Sequence, residues 1–330
     1  MAGSQDHRLA VAVSQAGGLG ALPAAMLTPE GLRAQILAFR AASSGPLNVN
    51  FFCHLPPAPQ PDAEQAWRDA LHPYYEEHAL TPEQIPSGGG RQPFDTSMAQ
   101  VIEDTRPEVV SFHFGLPTAD LVARVKATGA KVLSSATTVA EAQSLEAQGV
   151  DAVIAQGLEA GGHRGHFLDH DLSLQLGLMA LLPQIVQAVS VPVIAAGGIA
   201  SPPAVRAALA LGAQAVQVGT AYLLCPEANT SAVHRAALSS PRAAHTNLTR
   251  LFSGRPARGI PNRLMRDLGA LSPVAPAFPL ASNALAPLRQ AAERLGRDDF
   301  SPLWAGQAAA QSRAQPAATV TQWLATGASA

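Results

Sequence analysis

Seven short apolar runs recur along the first two-thirds of the chain, and helical patterns lie between them. The runs are "LGALPA", "LNVNFF", "EVVSFHF", "AKVLSS", "DAVIA", "VPVIAAGG" and "AQAVQVGT", spread from Leu19 to Leu224. They are short, β-branched and apolar on both faces, which is how parallel strands buried under helices read. Strand–helix units at a step of roughly twenty residues imply right-handed parallel crossovers. Eight strands would close a (β/α)8 TIM barrel. The first is not in view, because the chain opens "MAGSQDHRLAVAVSQAGG", a loop followed by a helix. The expected fold is therefore a TIM barrel with its first strand missing or truncated. A doubly wound open sheet is the alternative, but no GxGxxG fingerprint opens the chain.

Helix signals support the alternation. Thr138 and Glu141 have capping-box spacing, and Gly149 follows as a stop. Ser201 is an N-cap with Pro202 in the first helical position and Gly212 as stop, and Thr28 with Pro29 starts another helix likewise.

Two regions break the rhythm. Residues 53–93 follow the third strand position. They hold "HLPPAPQP", an amphipathic helix near Asp62–His78 and "SGGGRQP". An insertion there lies over the C-terminal mouth, either as a lid or as a plain surface excursion. Tyr74 and Tyr75 belong to it, on the lid or in packing. The expected division is a barrel core over 1–225 and a helical segment over 226–330 that completes the barrel and caps the site.

Composition narrows the function classes. Of 330 residues, 47% are hydrophobic and 14% charged, which suits a buried globular core. A formal charge of −2 gives no basic field for nucleic acid or anionic membrane. No apolar run has the length to span a bilayer, and no signal-peptide layout opens the chain. Cys53 and Cys225 form no metal spacing, so reduced thiols and a cytoplasmic location are expected.

In such a barrel the site lies where the strands end. Polar residues and glycines collect there: Asn50, His113, Gln156 to His166, Gly197 and Gly198, then Gln217, Gly219 and Thr220. Gly197, Gly198, Gly219 and Thr220 end the seventh and eighth strand positions, where barrel enzymes hold phosphate on backbone amides. The helix at Ser201 would aim its positive end at that anion. In "AQGLEAGGHRGHF", His163 follows Gly161 and Gly162 and is the candidate for acid–base work or anion stabilisation. A metal set of His163, His166 and His170 matches no standard spacing, so no metal is expected. Arg164 reads as the partner of an anion or of Glu159. His113 reads as a substrate contact or as a buried, hydrogen-bonded histidine.

These blocks together resemble a known family. "GGLGAL" at 17–22, "NVNFF" at 48–52, "VVSFHFG" at 109–115, "AQGLEAGGHRG" at 155–165, "PVIAAGGI" at 192–199, "AVQVGTAYLLCPEA" at 215–228 and "FSGRPARGIPNRLM" at 252–265 look like class I nitronate monooxygenases, the former 2-nitropropane dioxygenases. The resemblance covers nearly the whole chain. It implies FMN at the barrel mouth, contacted by Asn50, Gln156, Gly161, Gly198, Gln217, Val218, Gly219 and Thr220, with His163 as the active-site histidine. It implies oxidative denitrification of alkyl nitronates by O2, propionate 3-nitronate foremost, giving an aldehyde or oxo acid and nitrite, without NAD(P)H. Relatives have a first strand ending in "PMAG", of which only "MAGSQD" stands here. The natural chain is thus expected to start upstream, and the 330-residue form to bind FMN poorly. An FMN-dependent NAD(P)H:quinone or enoyl reductase of the same superfamily is the first alternative. A non-catalytic phosphate-ligand barrel is the second.

Overall fold

A computed structural model describes residues 1, 3–86 and 91–328. The run "SGGG" at 87–90 and Ala2 of "MAGSQD" lie outside the described residues. Seven strands form one parallel sheet: β1 Gly20–Pro23, β2 Leu47–Phe52, β3 Val109–His113, β4 Lys131–Ala136, β5 Ala152–Gln156, β7 Val193–Ala196 and β8 Ala215–Gln217. Their spatial order is β1-β2-β3-β4-β5-β7-β8. Each coincides with one of the seven apolar runs, β4 and β5 extending one residue beyond theirs. The sheet curls as a half-barrel, open between β1 and β8, and the fold observed is TIM-barrel-like with a partly open sheet of seven strands. Three short strands, β6 Gly162–His163, β9 Asn247–Thr249 and β10 Ala257–Gly259, make a separate antiparallel sheet in the order β6-β10-β9.

The period-2 alternation of the strands divides their side chains. Val49, Phe51, Val110, Phe112, Val132 and Val153 pack with Leu32, Ile36 and Phe39 of the helical layer. The other face carries a small apolar floor, Leu133, Ala152, Ile154 and Ala196. Along the same rows stand Asn50, Ser111, Ser135 and Gln156. The strands are thus apolar toward the helices but polar toward the barrel interior near their C-terminal ends. Ala215 and Gln217 are exposed on β8, at the open edge.

The ring of helices closes where the sheet does not. Helix His7–Gln15 packs on β1 and on helix Ala317–Ala325, which packs on helix Pro202–Ala210. The capping signals hold locally. Thr28, Thr138 and Ser201 accept from the amides of Gly31, Glu141 and Ala204. One detail differs. The Glu141 carboxylate does not return to Thr138, because it is drawn into the functional loop described below.

The 53–93 excursion contains helix Pro61–Glu77. Its Trp67, Leu71, Tyr74 and Tyr75 share a second core with Leu251, Phe252, Leu285, Leu288 and Phe300. Trp67 Nε1 donates to the Ala281 carbonyl at 3.0 Å, and the Tyr75 hydroxyl to Ala284 at 2.5 Å. Tyr74 and Tyr75 are therefore packing residues. This core joins the excursion to helix Ala281–Arg294 beside the barrel mouth.

Candidate active site

The segment after β5 is built from buried hydrogen bonds. Gln156 ends the strand with its amide turned into the loop. Its Nε2 donates to the His163 carbonyl at 3.0 Å, and its Oε1 accepts from the Gly165 amide at 2.8 Å. The intervening chain swings out and pairs with β10, His163 opposite Ala257. Gly161 makes the swing possible, since a Cβ there would stand 2.5 Å from the Gly306 nitrogen. Arg164 is fully buried under this loop and donates to the carbonyls of Gly157 and Gln156, both at 2.8 Å, and to Gln175 Oε1 at 2.7 Å. It thus takes neither an anion nor Glu159 as its partner. Glu159 instead caps helix Leu178–Ala188 through the Leu178 amide at 2.9 Å. Glu141, also buried, accepts from the Thr137 amide and hydroxyl and from the Phe167 amide at 2.6 Å, which ties down the far end of the loop. Half-satisfied groups here would each cost about 1–3 kcal/mol, so the network fixes one loop conformation.

The network presents one imidazole at the mouth. His163 Nε2 lies 2.8 Å from the Ser253 hydroxyl. Its ring is enclosed by Phe278, Trp304, Phe114 and Phe52, with centroids 5.4, 5.6, 5.9 and 6.0 Å away. Burial, then the charges of Arg91, His113, Arg255 and His54, hold its pKa well below the usual histidine range. Burial thus favours the uncharged imidazole.

His113 stands behind it. Its Nε2 bonds the His163 carbonyl at 3.1 Å and its Nδ1 meets the Ser135 hydroxyl at 3.0 Å. Burial pushes its pKa down to about 3. Both ring nitrogens are used by protein groups, so His113 positions the His163 backbone. His166 is buried beside His170, ring centroids 5.3 Å apart, and its carbonyl accepts from Arg255. Among the described residues, no group of three or more His, Cys, Asp or Glu is arranged to hold a metal ion.

The loops after β7 and β8 differ in kind. β7 and β8 pair with Ala196 opposite Gln217, which sets Gly197 and Gly198 beside Val218 and Gly219. The amides of Gly197, Gly198, Gly219 and Thr220 donate to no protein acceptor among the described residues. Gly197 and Gly198 have φ of 117° and 70°, which only glycine adopts readily. Gly219 has φ of −117°, open to any residue, and a Cβ there would meet only the Met1 side chain at 3.7 Å. Neither conformation nor packing demands glycine at 219. That leaves a cradle that a side chain would fill and free amides that point to an anion. The Thr220 hydroxyl is already engaged by the Gly306 amide at 3.0 Å. Asn50 Nδ2 donates to Ser111 Oγ at 2.9 Å, and Gln217 is exposed at the open edge.

Residue-type reasoning did not single out Ser253, Gln175 or Arg255, and it read Glu141 only as a capping-box residue. Ser253 and Arg255 lie in "FSGRPARG", a stretch whose glycines and prolines read as a turn. Its placement against a loop ninety residues earlier leaves no periodic trace.

A parallel α/β barrel with an anchored histidine and two amide-bearing loops at its mouth defines an enzyme site. The chain matches the nitronate monooxygenase family over residues 1–325, and it belongs to that family. It is 44% identical to a nitronate monooxygenase of Pseudomonas aeruginosa over 98% of this chain and 93% of that one. Identity to a nitronate monooxygenase of Paraburkholderia phytofirmans is 42%, covering 98% and 89% of the two chains. Among solved structures, a nitroalkane oxidase from Streptomyces ansochromogenes superposes with a TM-score of 0.91 at 40% identity, covering 100% and 94%. FabK from Thermotoga maritima superposes with a TM-score of 0.70 at 26% identity, covering 99% and 90%. The chain is an oxidoreductase of the nitronate-oxidising class, and the reading of a non-catalytic binding barrel falls. No described helix is long and apolar enough to cross a membrane.

Proposed function

We propose that the chain is an FMN-dependent enzyme that denitrifies alkyl nitronates oxidatively with O2, propionate 3-nitronate being the preferred substrate and a carbonyl compound and nitrite the products. The observation that carries this reading is a buried His163 anchored on Ser253, in the same barrel mouth as loops whose amides have no protein acceptor among the described residues. When bound, FMN supplies the electron-transfer chemistry between nitronate and oxygen. Gly198, Val218, Gly219 and Thr220 would hold its phosphate side on backbone N–H groups, with Gln217 at the open edge and Asn50 toward the flavin. Gln156 contributes less by direct contact than by holding the loop, since its amide is committed to protein partners, whereas the Gly161 amide donates to no protein acceptor among the described residues and would be open to the flavin.

His163 answers the charge of the substrate. A nitronate is an anion, and an anion beside a neutral imidazole raises its pKa. His163 would therefore take up a proton as the nitronate binds, and the Ser253 hydroxyl at 2.8 Å would keep the ring oriented. A neutral nitroalkane brings no such charge. His163 would then have to remove the α-proton itself, a role worth roughly 10²–10⁴-fold that a strongly depressed pKa weakens. The site thus favours nitronates over their neutral acids.

The test is direct. Purified protein supplied with FMN should show a flavin absorption spectrum, consume O2 with propionate 3-nitronate and release nitrite with no NAD(P)H present. Rapid NADH oxidation with a quinone or an enoyl thioester, without O2 uptake on nitronates, would replace this reading with that of a reductase.

A further inference from the structure

A cavity of about 520 Å³ opens between the loop after β1, the end of β2 and helix Ala281–Arg294. Phe52, Phe94, Met98, Phe252 and Phe300 form its apolar wall, and two guanidinium groups reach it, Arg91 and Arg289. Arg91 is held firmly in place. His54 Nε2 bonds its carbonyl at 3.1 Å, and the Phe94 amide, three residues on, donates to the Phe52 carbonyl at 2.8 Å. Its guanidinium makes no ion pair among the described residues, and its Nη1 is buried without a hydrogen-bond partner. Burial, and then the charge of Arg289, a second cation, lowers the Arg91 pKa. Arg289 pairs with Glu293 at 2.8 Å, but Glu293 also accepts from the Ser301 hydroxyl at 2.7 Å. A largely desolvated cation without a counter-charge is expensive, and an anion in the cavity would relieve it.

The cavity adjoins the histidine. The Arg91 guanidinium lies 5.7 Å from the Phe278 ring centroid, and that ring lies 5.4 Å from the ring of His163. Phe52, in the cavity wall, is 6.0 Å from His163. After burial, Arg91 is also the strongest influence on His163. We propose that Arg91 and Arg289 bind the carboxylate at the remote end of a short nitronate whose reacting end lies at His163. The pair then determines specificity, selecting carboxylated nitronates over plain alkyl ones. This rests on the nitronate-oxidising reading given above.

The test compares propionate 3-nitronate with propyl-1-nitronate, which lacks the carboxylate, in the FMN-loaded wild type and in Arg91→Ala, Arg91→Lys and Arg289→Ala. Losing a charge-assisted contact should lower kcat/KM for propionate 3-nitronate roughly tenfold to hundredfold in Arg91→Ala, chiefly through KM. Propyl-1-nitronate should lose far less, its only change being the one that follows from removing the Arg91 charge near His163, so the ratio of the two kcat/KM values should fall roughly tenfold or more. Lys should restore part of the loss, and Arg289→Ala should act in the same direction but less, because Glu293 shares that cation. Calorimetric binding of 3-nitropropionate should weaken by the same factor in Arg91→Ala. Equal losses on both nitronates, or no loss on either, would overturn the proposal. If the wild type turns over neither nitronate, the activity reading fails, and the 3-nitropropionate titration still decides whether Arg91 binds the carboxylate.

Discussion

Gly161 and Gly219 belong to two loops of one barrel mouth and are glycine for opposite reasons. At Gly161 the protein itself forbids a side chain, because the backbone of residues 305–306 fills the space. At Gly219 it does not. The φ is ordinary, and only the tail of Met1 lies near. The same division runs through their surroundings. Around Gly161, the groups of Gln156, Arg164, Glu141 and His113 are spent on one another and on the backbone of the histidine loop. Around Gly219, backbone amides stand free. One side of the mouth is braced by its own side chains and serves to position His163. The other side is incomplete without a ligand.

Two substitutions put that contrast at risk. Gly161→Ala should destabilise the fold by about 3 kcal/mol, since the clash is with backbone that cannot rotate away. Urea unfolding with the slope unchanged would measure it, and a stability equal to the wild type would mean the histidine loop is not clamped as described. Gly219→Val should leave stability within about 1 kcal/mol, because the conformation suits any residue. It should nevertheless weaken FMN binding roughly tenfold or more by blocking approach to the amides. Flavin fluorescence titration reads this, and unaltered affinity would remove Gly219 from the cradle.

Much of the scaffold was legible in the residues. All seven sheet strands are apolar runs long enough to show themselves, and three of the N-caps carry Thr or Ser with the right offset. His163 was legible because it ends a strand position between glycines. The partners that define it were not. Ser253 lies in a turn, and the strands β6, β9 and β10 are only two or three residues long, too short for a period-2 signal; β6 moreover pairs with β10 from about ninety residues away in sequence. Arg164 illustrates a second limit. A buried arginine that bonds only carbonyls and an amide looks, as a letter in the chain, like a surface charge. Glu141 illustrates a third. Its capping-box offset is real, but a buried carboxylate near free loop amides satisfies those instead. Both turned on tertiary contact, which spacing does not encode.

The central claim is that the braced loop exists to hold one imidazole at the reacting end of a nitronate. His163→Ala tests it most directly, with FMN occupancy and O2 uptake on propionate 3-nitronate measured on the same preparation. The variant should retain its flavin spectrum and lose at least about 100-fold in kcat/KM, as expected when a preorganised electrostatic group is removed. A variant with full flavin and wild-type turnover would contradict the account.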